Sequence, residues 1–348
     1  MPRCLIGLGS NLGNRRETFE KALAELRGHP CMQVAAVSSF HETAPIGGPA
    51  HQPAFLNAAA LLDVSLQPQA LLELLQQIEA EHGRRREETW GPRTLDLDLL
   101  LYEDLILSTP TLELPHPRMA WRRFVLEPAA EVAGSMLHPV IGWTIARLLE
   151  HLNAAVPYVA IAGPIAAGKT HLAGLLCDKT CARLISERLD EKTLEIFYEN
   201  PSGHAWSTEL EFLHRRTDLL LSTAPFWSDC RGLTVSDFWF DQSRAFARTW
   251  LTPSQWPAYD KLWLQARQKV VQPKLIVFLD SPVEILMDRI RRRARCGEQN
   301  LHSDQLEHIR HAILDQASQP DLGPVLRTKN ADLDSILNEV LAAVQAMA

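Results

Sequence analysis

The sequence has few of the features that mark membrane-bound, secreted or nucleic-acid-binding proteins. No apolar run approaches the roughly 20 residues that a helix needs to cross a bilayer. Basic residues do not prevail, since 35 Lys and Arg stand against 42 Asp and Glu, and the formal net charge is −7 over 348 residues. A surface of that sign does not attract nucleic acids or anionic membranes as a whole. No charged and then apolar leader opens the chain, so we expect a cytoplasmic protein without nucleic-acid or membrane partners.

Cysteine is also scarce, with six residues scattered along the chain. Cys177 and Cys181 are four residues apart, but no second Cys or His pair at the spacing of metal ligands accompanies them. We therefore expect both to be buried thiols on a helix in a reduced protein.

What the chain does contain is two successive patterns of strands and helices, and its length favours two domains. In the first half, helical periodicity recurs around residues 19–26, 71–78 and 144–152. The predicted strands of this half are Cys4–Leu8, Met32–Phe40, Phe55–Val64 and Leu95–Tyr102. This order is typical of an α+β sandwich of ferredoxin-like type.

The second half begins with a fully apolar strand, Tyr158–Ala162, which leads directly into a glycine loop and a helix. Further apolar runs at residues 182–185, 233–235 and 275–279 alternate with helical segments. That rhythm predicts an α/β domain with a parallel sheet and helices on both faces. We place the boundary at residues 153–156, which gives domains of residues 1–154 and 157–348.

Two aspartates stand two residues apart on the last predicted strand of the first half. Asp96 and Asp98 leave the same face of that strand, while Leu95, Leu97 and Leu99 face the other side. Two carboxylates on a rigid strand suit Mg²⁺, which takes oxygen ligands and leaves room for phosphate oxygens. The alternative is a half-exposed strand whose polar face meets only water.

The surroundings of this strand favour the phosphate interpretation. Basic residues lie on both sides of it, interspersed with stiff Trp and Pro residues: Arg84, Arg85, Arg86 and Arg93 before Asp96, and His116, Arg118, Arg122 and Arg123 after Asp98. Metal-holding carboxylates beside several guanidinium groups match a polyphosphate, because its charge must be neutralised from both sides.

Five separated segments of the first half carry a family resemblance. They are Gly9–Gly13, Thr43–Gly47, Gln52–Asn57, Trp90–Asp98 and Leu114–Met119. In this order they closely resemble 6-hydroxymethyl-7,8-dihydropterin pyrophosphokinase over residues 3–152. The resemblance implies transfer of diphosphate from ATP to the pterin, a step of folate synthesis with AMP as the leaving group.

The same resemblance implies roles for individual residues. Asp96 and Asp98 would bind two Mg²⁺ ions between the ATP phosphates and the pterin hydroxymethyl oxygen. The predicted clamp on the triphosphate consists of Arg84, Arg93, His116 and Arg122. The predicted pterin pocket consists of Thr43, Pro45, Phe55, Asn57 and Phe124. Taken singly, the two phenylalanines would fit core packing equally well.

A phosphate loop opens the second half. Residues 163–170 read Gly-Pro-Ile-Ala-Ala-Gly-Lys-Thr and satisfy the pattern G-x-x-x-x-G-K-[ST] between a buried strand and a helix. In that setting, backbone amides surround a phosphate, Lys169 neutralises its charge and Thr170 ligates Mg²⁺. We expect nucleotide contacts from Gly163, Ile165, Ala166, Ala167, Gly168, Lys169 and Thr170. The alternative is a plain glycine turn.

An arginine-rich string, Arg289–Arg295, follows the helix that is predicted to begin near Pro282. Such a string is usually a solvated charge run. In a domain with a phosphate loop we interpret it instead as a lid that closes over the transferring phosphate, with Arg291 and Arg293 as catalytic residues.

Together with Ser186–Arg188, Glu195–Asn200 and Val235–Ser243, these features resemble the deoxynucleoside kinase family of small P-loop kinases over residues 157–300. The resemblance implies that Glu187 accepts the proton of a deoxynucleoside 5′-hydroxyl. It also implies that Asp237 orients Mg²⁺ or its waters. Kinases of this type are often dimers, so a homodimer formed through the second half is expected on that ground alone.

The second half departs from the family pattern in two places. Many members have an acid, an arginine and a serine where this chain has Ser236, Asp237 and Phe238, so an arginine that would reach the phosphoryl acceptor is absent. Glu209 stands where a glutamine usually contacts the nucleobase, and an ionised glutamate can only accept hydrogen bonds. Two hypotheses therefore stay open: an ATP-dependent deoxynucleoside 5′-kinase, or a nucleotide-binding regulatory module that catalyses nothing. A decayed first half is disfavoured, because its metal, phosphate and pterin residues form an unbroken set.

Overall fold

The computed structural model describes residues 1–49, 51–84, 91–154, 156–187, 191–228, 232–295, 297–329 and 332–348. The chain forms two compact units, Met1–Ala154 with Leu341–Ala348, and Ala155–Val340. The last eight residues thus group with the first unit, whereas the predicted second domain includes them.

The first unit alternates strands and helices along the chain. Its elements are β1 (Arg3–Ser10), α1 (Arg15–Gly28), β2 (Met32–Val37), β3 (His41–Thr43), β4 (Phe55–Val64), α2 (Pro68–Glu81), β5 (Asp96–Tyr102), β6 (Leu107–Ser108), β7 (Glu113–Leu114), a 3-10 helix (Met119–Trp121), α3 (Arg123–Ala133) and α4 (Ile145–Ala154). Strands β2, β4, β1 and β5 form an antiparallel sheet in that order, and β3 pairs with β4. This order and pairing fit the ferredoxin-like arrangement that the sequence predicts.

The strand predicted at Met32–Phe40 is shorter and ends at Val37. The Ser38 side chain explains the break, because its hydroxyl accepts the backbone N–H of Ala59 at 2.9 Å. A side chain thereby takes the place of a backbone partner in the ladder. The chain resumes pairing at His41 as the short strand β3.

One apolar cluster of the first unit lies on one face of the sheet. Phe19 of α1 and Leu75 of α2 pack there with Leu97 of β5, and all three side chains are buried. Because successive residues of a strand point to opposite faces, Asp96 and Asp98 leave the other face. The two aspartates therefore point away from this cluster.

The second unit is built around a parallel sheet with helices. Its elements are β8 (Tyr158–Ala162), α5 (Lys169–Thr180), β9 (Arg183–Ile185), α6 (Glu191–Glu199), α7 (Pro201–Leu220), α8 (Pro225–Ser228), β10 (Thr234–Ser236), α9 (Gln242–Trp250), α10 (Trp256–Arg267), β11 (Leu275–Asp280), α11 (Val283–Arg293), a 3-10 helix (Glu298–Asn300), α12 (Ser303–Ala317), β12 (Val325–Lys329) and α13 (Leu333–Met347), whose last residues belong to the first unit. The strand order is β12-β11-β8-β10-β9, and the pairs are parallel.

Strand β12 is not among the strands predicted from the sequence. The strand carries Arg327, which is exposed, between buried Leu326 and Thr328. Strand β12 pairs with β11, and Arg327 Nε also donates a hydrogen bond to Oδ2 of Asp280, the last residue of β11, at 2.9 Å. A polar strand of five residues gives no apolar run from which it could be recognised.

The prediction of two buried helical thiols is wrong. Cys177 lies on α5 but is only half-buried, and Cys181 is exposed. Helix α5 ends at Thr180, and Cys181 follows it in the left-handed conformation with φ of 54°. The helical period therefore does not extend to the second cysteine.

Among the helices of the described residues, none is both long and apolar enough to cross a membrane.

Candidate functional site

The sheet face that carries Asp96 and Asp98 brings together residues from three neighbouring strands. In the strand register, Gly9 of β1 lies opposite Asn57 of β4 on one side and Asp96 of β5 on the other. A Cβ atom at Gly9 would lie 3.6 Å from Cβ of Asp96 and 3.8 Å from Oδ1 of Asn57. The glycine therefore leaves open space between a predicted metal ligand and a predicted pterin contact.

Asp96 is held by two of the predicted clamp arginines. Its Oδ1 lies 2.7 Å from Nη2 of Arg84 in an ion pair, and its Oδ2 accepts a hydrogen bond from Arg93. Burial and the negative charge of Asp98 raise the pKa of Asp96, against the opposing effect of the two guanidinium groups. Two carboxylates that destabilise each other's charge on one face provide a suitable place for a cation.

Glu79 of α2 extends this network and was not singled out from the sequence. It is buried, accepts the backbone N–H of Leu97 at 2.7 Å and also binds Arg84. Arg84 therefore bridges Glu79 and Asp96. A signal was present in the sequence, because Glu79 stands four residues after Leu75 and therefore lies on the apolar face of the helix.

His116 and Arg122 lie near the same carboxylates. Burial, with the charges of Arg122 and Arg118, lowers the pKa of His116 to about 3, so its imidazole is neutral at physiological pH. Its Nδ1 accepts the backbone N–H of Arg118 at 3.2 Å. Burial lowers the pKa of Arg122 to about 10, whereas Asp98 and Asp96 raise it. Arg122 thus stays cationic near two carboxylates.

The predicted pterin residues are partly brought together. Asn57 Nδ2 donates to Oγ1 of Thr43 at 2.8 Å, and Phe55 pairs with Thr43 in the register of β3 and β4. Asn57 is buried, and the aromatic ring of Phe124 lies 5.5 Å from the guanidinium carbon of Arg122. Pro45 follows β3 in a half-buried loop.

The phosphate loop of the second unit adopts the expected strand–loop–helix setting between β8 and α5. A Cβ atom at Gly163 would lie 2.9 Å from the carbonyl oxygen of Leu279 in β11, so only glycine fits there. Gly168 caps α5 with φ of 98°, and Ala166 has φ of 62°. Ile165 is half-buried and Ala167 is buried in the same turn.

Lys169 is folded onto its own loop. Its ammonium group donates to the carbonyl oxygens of Gly163 at 2.9 Å and Pro164 at 2.8 Å. Burial and the charge of Arg216 lower the pKa of Lys169 to about 8, while Glu187 and Asp237 oppose that change.

Asp237 joins the phosphate loop to the end of β9. Its Oδ2 accepts hydrogen bonds from the hydroxyl groups of Thr170 at 2.8 Å and Ser186 at 2.9 Å. Its Oδ1 accepts the backbone N–H of Glu187 at 2.9 Å. The two predicted Mg²⁺ contacts of this unit, Thr170 and Asp237, are therefore in direct contact.

Glu187 is bound by an arginine that the sequence analysis did not identify. Arg216 of α7 donates from Nε and Nη2 to the two carboxylate oxygens of Glu187 at 2.6 and 2.7 Å. The arginine expected after β10 is indeed absent from that segment, but a guanidinium group arrives from another helix.

Glu209 lies on the same buried side of α7 as Arg216 and is 2% exposed. Burial raises the pKa of Glu209 to about 8, with a further increase from Glu187 and a decrease from Arg216. A protonated carboxyl group both donates and accepts hydrogen bonds, as a glutamine side chain does. The expectation that Glu209 only accepts therefore does not hold for the protonated form.

The arginine string lies on the last turns of α11 and just beyond, rather than entirely after the helix. Arg289, which was not among the predicted catalytic residues, donates to the phosphate-loop carbonyls of Ala166 at 3.3 Å and Ala167 at 3.0 Å. Arg293 binds the buried Glu298, whereas Arg291 is exposed.

Several residues named from the sequence, Arg85, Arg86, Trp90 and Arg188, lie outside the described residues. Within the described ranges, no group of three or more His, Cys, Asp and Glu side chains is arranged to hold a metal ion. A cation at Asp96 and Asp98 would thus need further oxygen ligands from a substrate or water.

Comparison with known proteins assigns a family to each unit. The model of the family described as 7,8-dihydro-6-hydroxymethylpterin-pyrophosphokinase matches residues 5–134. The model of the family described as deoxynucleoside kinase matches residues 159–341, which is just over half of the chain.

Individual relatives agree with the first of these matches. The chain is 43% identical to the 2-amino-4-hydroxy-6-hydroxymethyldihydropteridine pyrophosphokinase of Pseudomonas aeruginosa over 159 residues, 46% of this chain and 94% of the relative. It is 50% identical to the Bacillus subtilis protein of that name over 127 residues, 36% of this chain and 75% of the relative.

A solved structure of deoxyadenosine kinase from M. mycoides, with dCMP and dCDP bound, is 12% identical with a TM-score of 0.48, over 55% of this chain and all of that one. A likeness this distant carries no information about substrate. On the family matches, the chain belongs to the 7,8-dihydro-6-hydroxymethylpterin-pyrophosphokinase family in its first part and to the deoxynucleoside kinase family in its second.

Proposed function

We propose that the first unit transfers a diphosphate group from ATP to 6-hydroxymethyl-7,8-dihydropterin and releases AMP, a step of folate synthesis. The observation that carries the proposal is one sheet face on which Asp96 and Asn57 flank Gly9, with two arginines bound to Asp96. One face thus offers carboxylates for a cation, guanidinium groups for phosphates and an amide for a heterocycle.

Asp96 and Asp98 would hold Mg²⁺ in this site. Their fit rests on the raised pKa of Asp96, which burial and the Asp98 charge cause and which a bound cation would lower again. When bound, the ion neutralises phosphate charge and helps to align the attacking and leaving oxygens.

Arg84, Arg93 and Arg122 would bind the triphosphate as the hydroxymethyl oxygen attacks the β-phosphorus. The new bond forms to that oxygen, and the bond between the β-phosphorus and the bridging oxygen of AMP breaks. Positioning and charge neutralisation carry most of such a reaction. His116 would contribute a hydrogen bond rather than a positive charge, because its pKa of about 3 keeps it neutral.

The pterin would lie against Asn57 and Thr43. Asn57 already donates to Thr43 and keeps its carbonyl oxygen for a ring N–H. The rings of Phe55 and Phe124 would cover the faces of the pterin.

For the second unit we propose an ATP-dependent deoxynucleoside 5′-kinase. Glu187 would accept the proton of the 5′-hydroxyl, while Lys169 leaves its own loop carbonyls to bind the transferred phosphate. Thr170 and Asp237 would hold Mg²⁺, as their direct contact supports.

The competing function is a nucleotide-binding regulatory module. Its support is the missing arginine after β10, and the contact of Arg216 with Glu187 weakens that support.

Identification of the spent nucleotide tests both proposals, since diphosphate transfer releases AMP and monophosphate transfer releases ADP. With Mg-ATP and the pterin, we expect AMP, and we expect Asp98→Ala to abolish it. The exposed Asp104 provides the matched control. AMP formation that survived Asp98→Ala would remove the assignment of the two aspartates.

For the second unit, we expect ADP with at least one deoxynucleoside and its loss in Lys169→Ala. Lys179→Ala, at the exposed far end of α5, is the control. AMP formation from the pterin should be unaffected by either lysine variant. Absence of ADP with every deoxynucleoside would favour the regulatory module.

A further inference from the structure

The carboxylate of Glu187 is held by an arginine from outside the segment in which the family pattern places one. After β10 the chain reads Ser236, Asp237 and Phe238, without a guanidinium group. Arg216 of α7, which is 29 residues after Glu187 in the sequence, instead donates two parallel hydrogen bonds of 2.6 and 2.7 Å to the Glu187 carboxylate. Such a bidentate fork, in which one guanidinium group donates to both carboxylate oxygens, fixes both the position and the plane of the carboxylate.

Arg216 is itself fixed from several sides. Its Nη1 donates to the Ser243 hydroxyl at 2.8 Å, and its guanidinium carbon lies 5.1 Å from the ring of Phe212 and 5.7 Å from that of Phe238. Only 5% of its side chain is exposed. An arginine so enclosed has little rotational freedom, so it can serve as a rigid support.

Glu187 is thereby restrained at both ends. Its backbone N–H donates to Asp237, which also binds Thr170 of the phosphate loop, and its carboxylate is held by Arg216. The carboxylate lies close enough to the loop to affect the charge of Lys169. Stability alone gives a poor account of this arrangement, because buried ion pairs contribute little net free energy once desolvation is counted.

We propose that Arg216 is the positioning residue of the second unit, which replaces the arginine missing after β10 and holds the Glu187 carboxylate in place for proton transfer. This inference rests on the proposed kinase function. In it, Arg216 acts through Glu187 and is not itself required to touch the transferred phosphate.

Crystal structures of the wild-type chain and of Arg216→Ala test the positioning without any assay. We expect the Glu187 carboxylate to leave its position beside the phosphate loop in the variant, while Asp237 and Thr170 keep their contact. A carboxylate that stayed in place would overturn the inference, whatever the catalytic activity of the protein.

Kinetics with the deoxynucleoside that yields ADP give the second test. We expect Arg216→Ala to lower kcat about 100-fold, with KM for ATP within about threefold of wild type. Added guanidinium chloride at non-denaturing concentration should raise the kcat of the variant at least about tenfold, because the guanidinium ion occupies the vacated space. A role in folding alone would not be rescued in this way.

The neighbouring Arg215 is exposed and pairs with Glu211, so Arg215→Ala is the matched control and should retain the wild-type kcat. If Arg216→Ala does not fold, Arg216→Lys takes its place, since lysine keeps the charge but lacks the fork. A folded lysine variant with wild-type kcat would overturn the inference. Absence of ADP in the wild-type protein would refute the kinase function, and the crystal structures would then decide the positioning by themselves.

Discussion

Replacement of Glu209 by glutamine offers the sharpest test of the electrostatics inside the second unit. Glu209 is 2% exposed on α7, and burial raises its pKa from 4.5 to about 8. Within the described part of the chain it accepts no hydrogen bond that would stabilise a buried negative charge. Glutamine keeps the shape and polarity of a protonated glutamate but cannot ionise.

The sign of the effect follows from proton binding. Between about pH 4.5 and 8 the folded protein holds a proton on Glu209 that the unfolded chain has released, so the folded state binds more protons. The contribution of Glu209 to the free energy of unfolding is therefore complete below about pH 4.5, and it is lost as the pH rises towards 8. The loss is about 1.4 kcal/mol per pH unit, or about 5 kcal/mol over the whole range.

Hydrogen exchange of the buried amides in β8 and β11 measures this free energy for the second unit alone, because core strands exchange through global unfolding. Wild type and Glu209→Gln are compared at equal pH, so that intrinsic exchange rates cancel. We expect the free energy of unfolding of Glu209→Gln to rise relative to that of wild type by about 3 to 4 kcal/mol between pH 5 and 8.

Glu211→Gln, on the same helix but partly exposed, is the matched control. The curve of its free energy of unfolding against pH should run parallel to that of wild type. If the curves of wild type and Glu209→Gln also run parallel across this range, then Glu209 is not kept protonated by the fold, and the comparison of its carboxyl group with a glutamine fails.

Three further predictions concern the first unit and the thiols. His116→Gln should slow AMP formation without changing the shape of its pH profile between pH 5 and 8, because burial and two arginines already lower the pKa of His116 to about 3; kcat measured across that range checks it. A thiol reagent should label the exposed Cys181 in the native protein but Cys4 only after unfolding, since burial raises the pKa of Cys4 to about 12; mass spectrometry identifies the labelled peptides. Phe19→Ala should cost the first unit about 3–5 kcal/mol, because the ring is fully buried and meets Phe40 edge-on at 5.3 Å; exchange of the β1 amides measures the loss.

The elements best predicted from the sequence are those whose side-chain pattern is decided locally. Phe55–Val64 and Tyr158–Ala162 were predicted with the bounds that the structure gives. Both are predominantly apolar, and both are interior strands of their sheets. The opposite faces of β5 also follow from alternation alone, since Leu97 is buried in the core and Asp96 leaves the other side.

Less local features were missed. The break after Val37 depends on a hydroxyl group of Ser38 that reaches a neighbouring strand, and β12 is held by pairing with β11. Neither contact leaves a mark on the hydrophobic pattern. The roles of the individual site residues stay predictions, because contacts within the folded protein bring residues together without assigning a reaction to them.

Arg216 shows how such a miss could have been avoided. On α7 the buried positions include Ala205, Glu209, Leu213, Arg216 and Leu220, which recur at intervals of three and four residues. Two ionisable side chains, Glu209 and Arg216, thus fall on the apolar stripe of an amphipathic helix, where an unpaired charge would be costly. A catalytic carboxylate at Glu187 that lacks an arginine in its own motif requires a cation from elsewhere. The charged positions of a buried helical stripe are the places to look for it. The stripe and the gap in the motif, taken together, already point to the contact between Arg216 and Glu187.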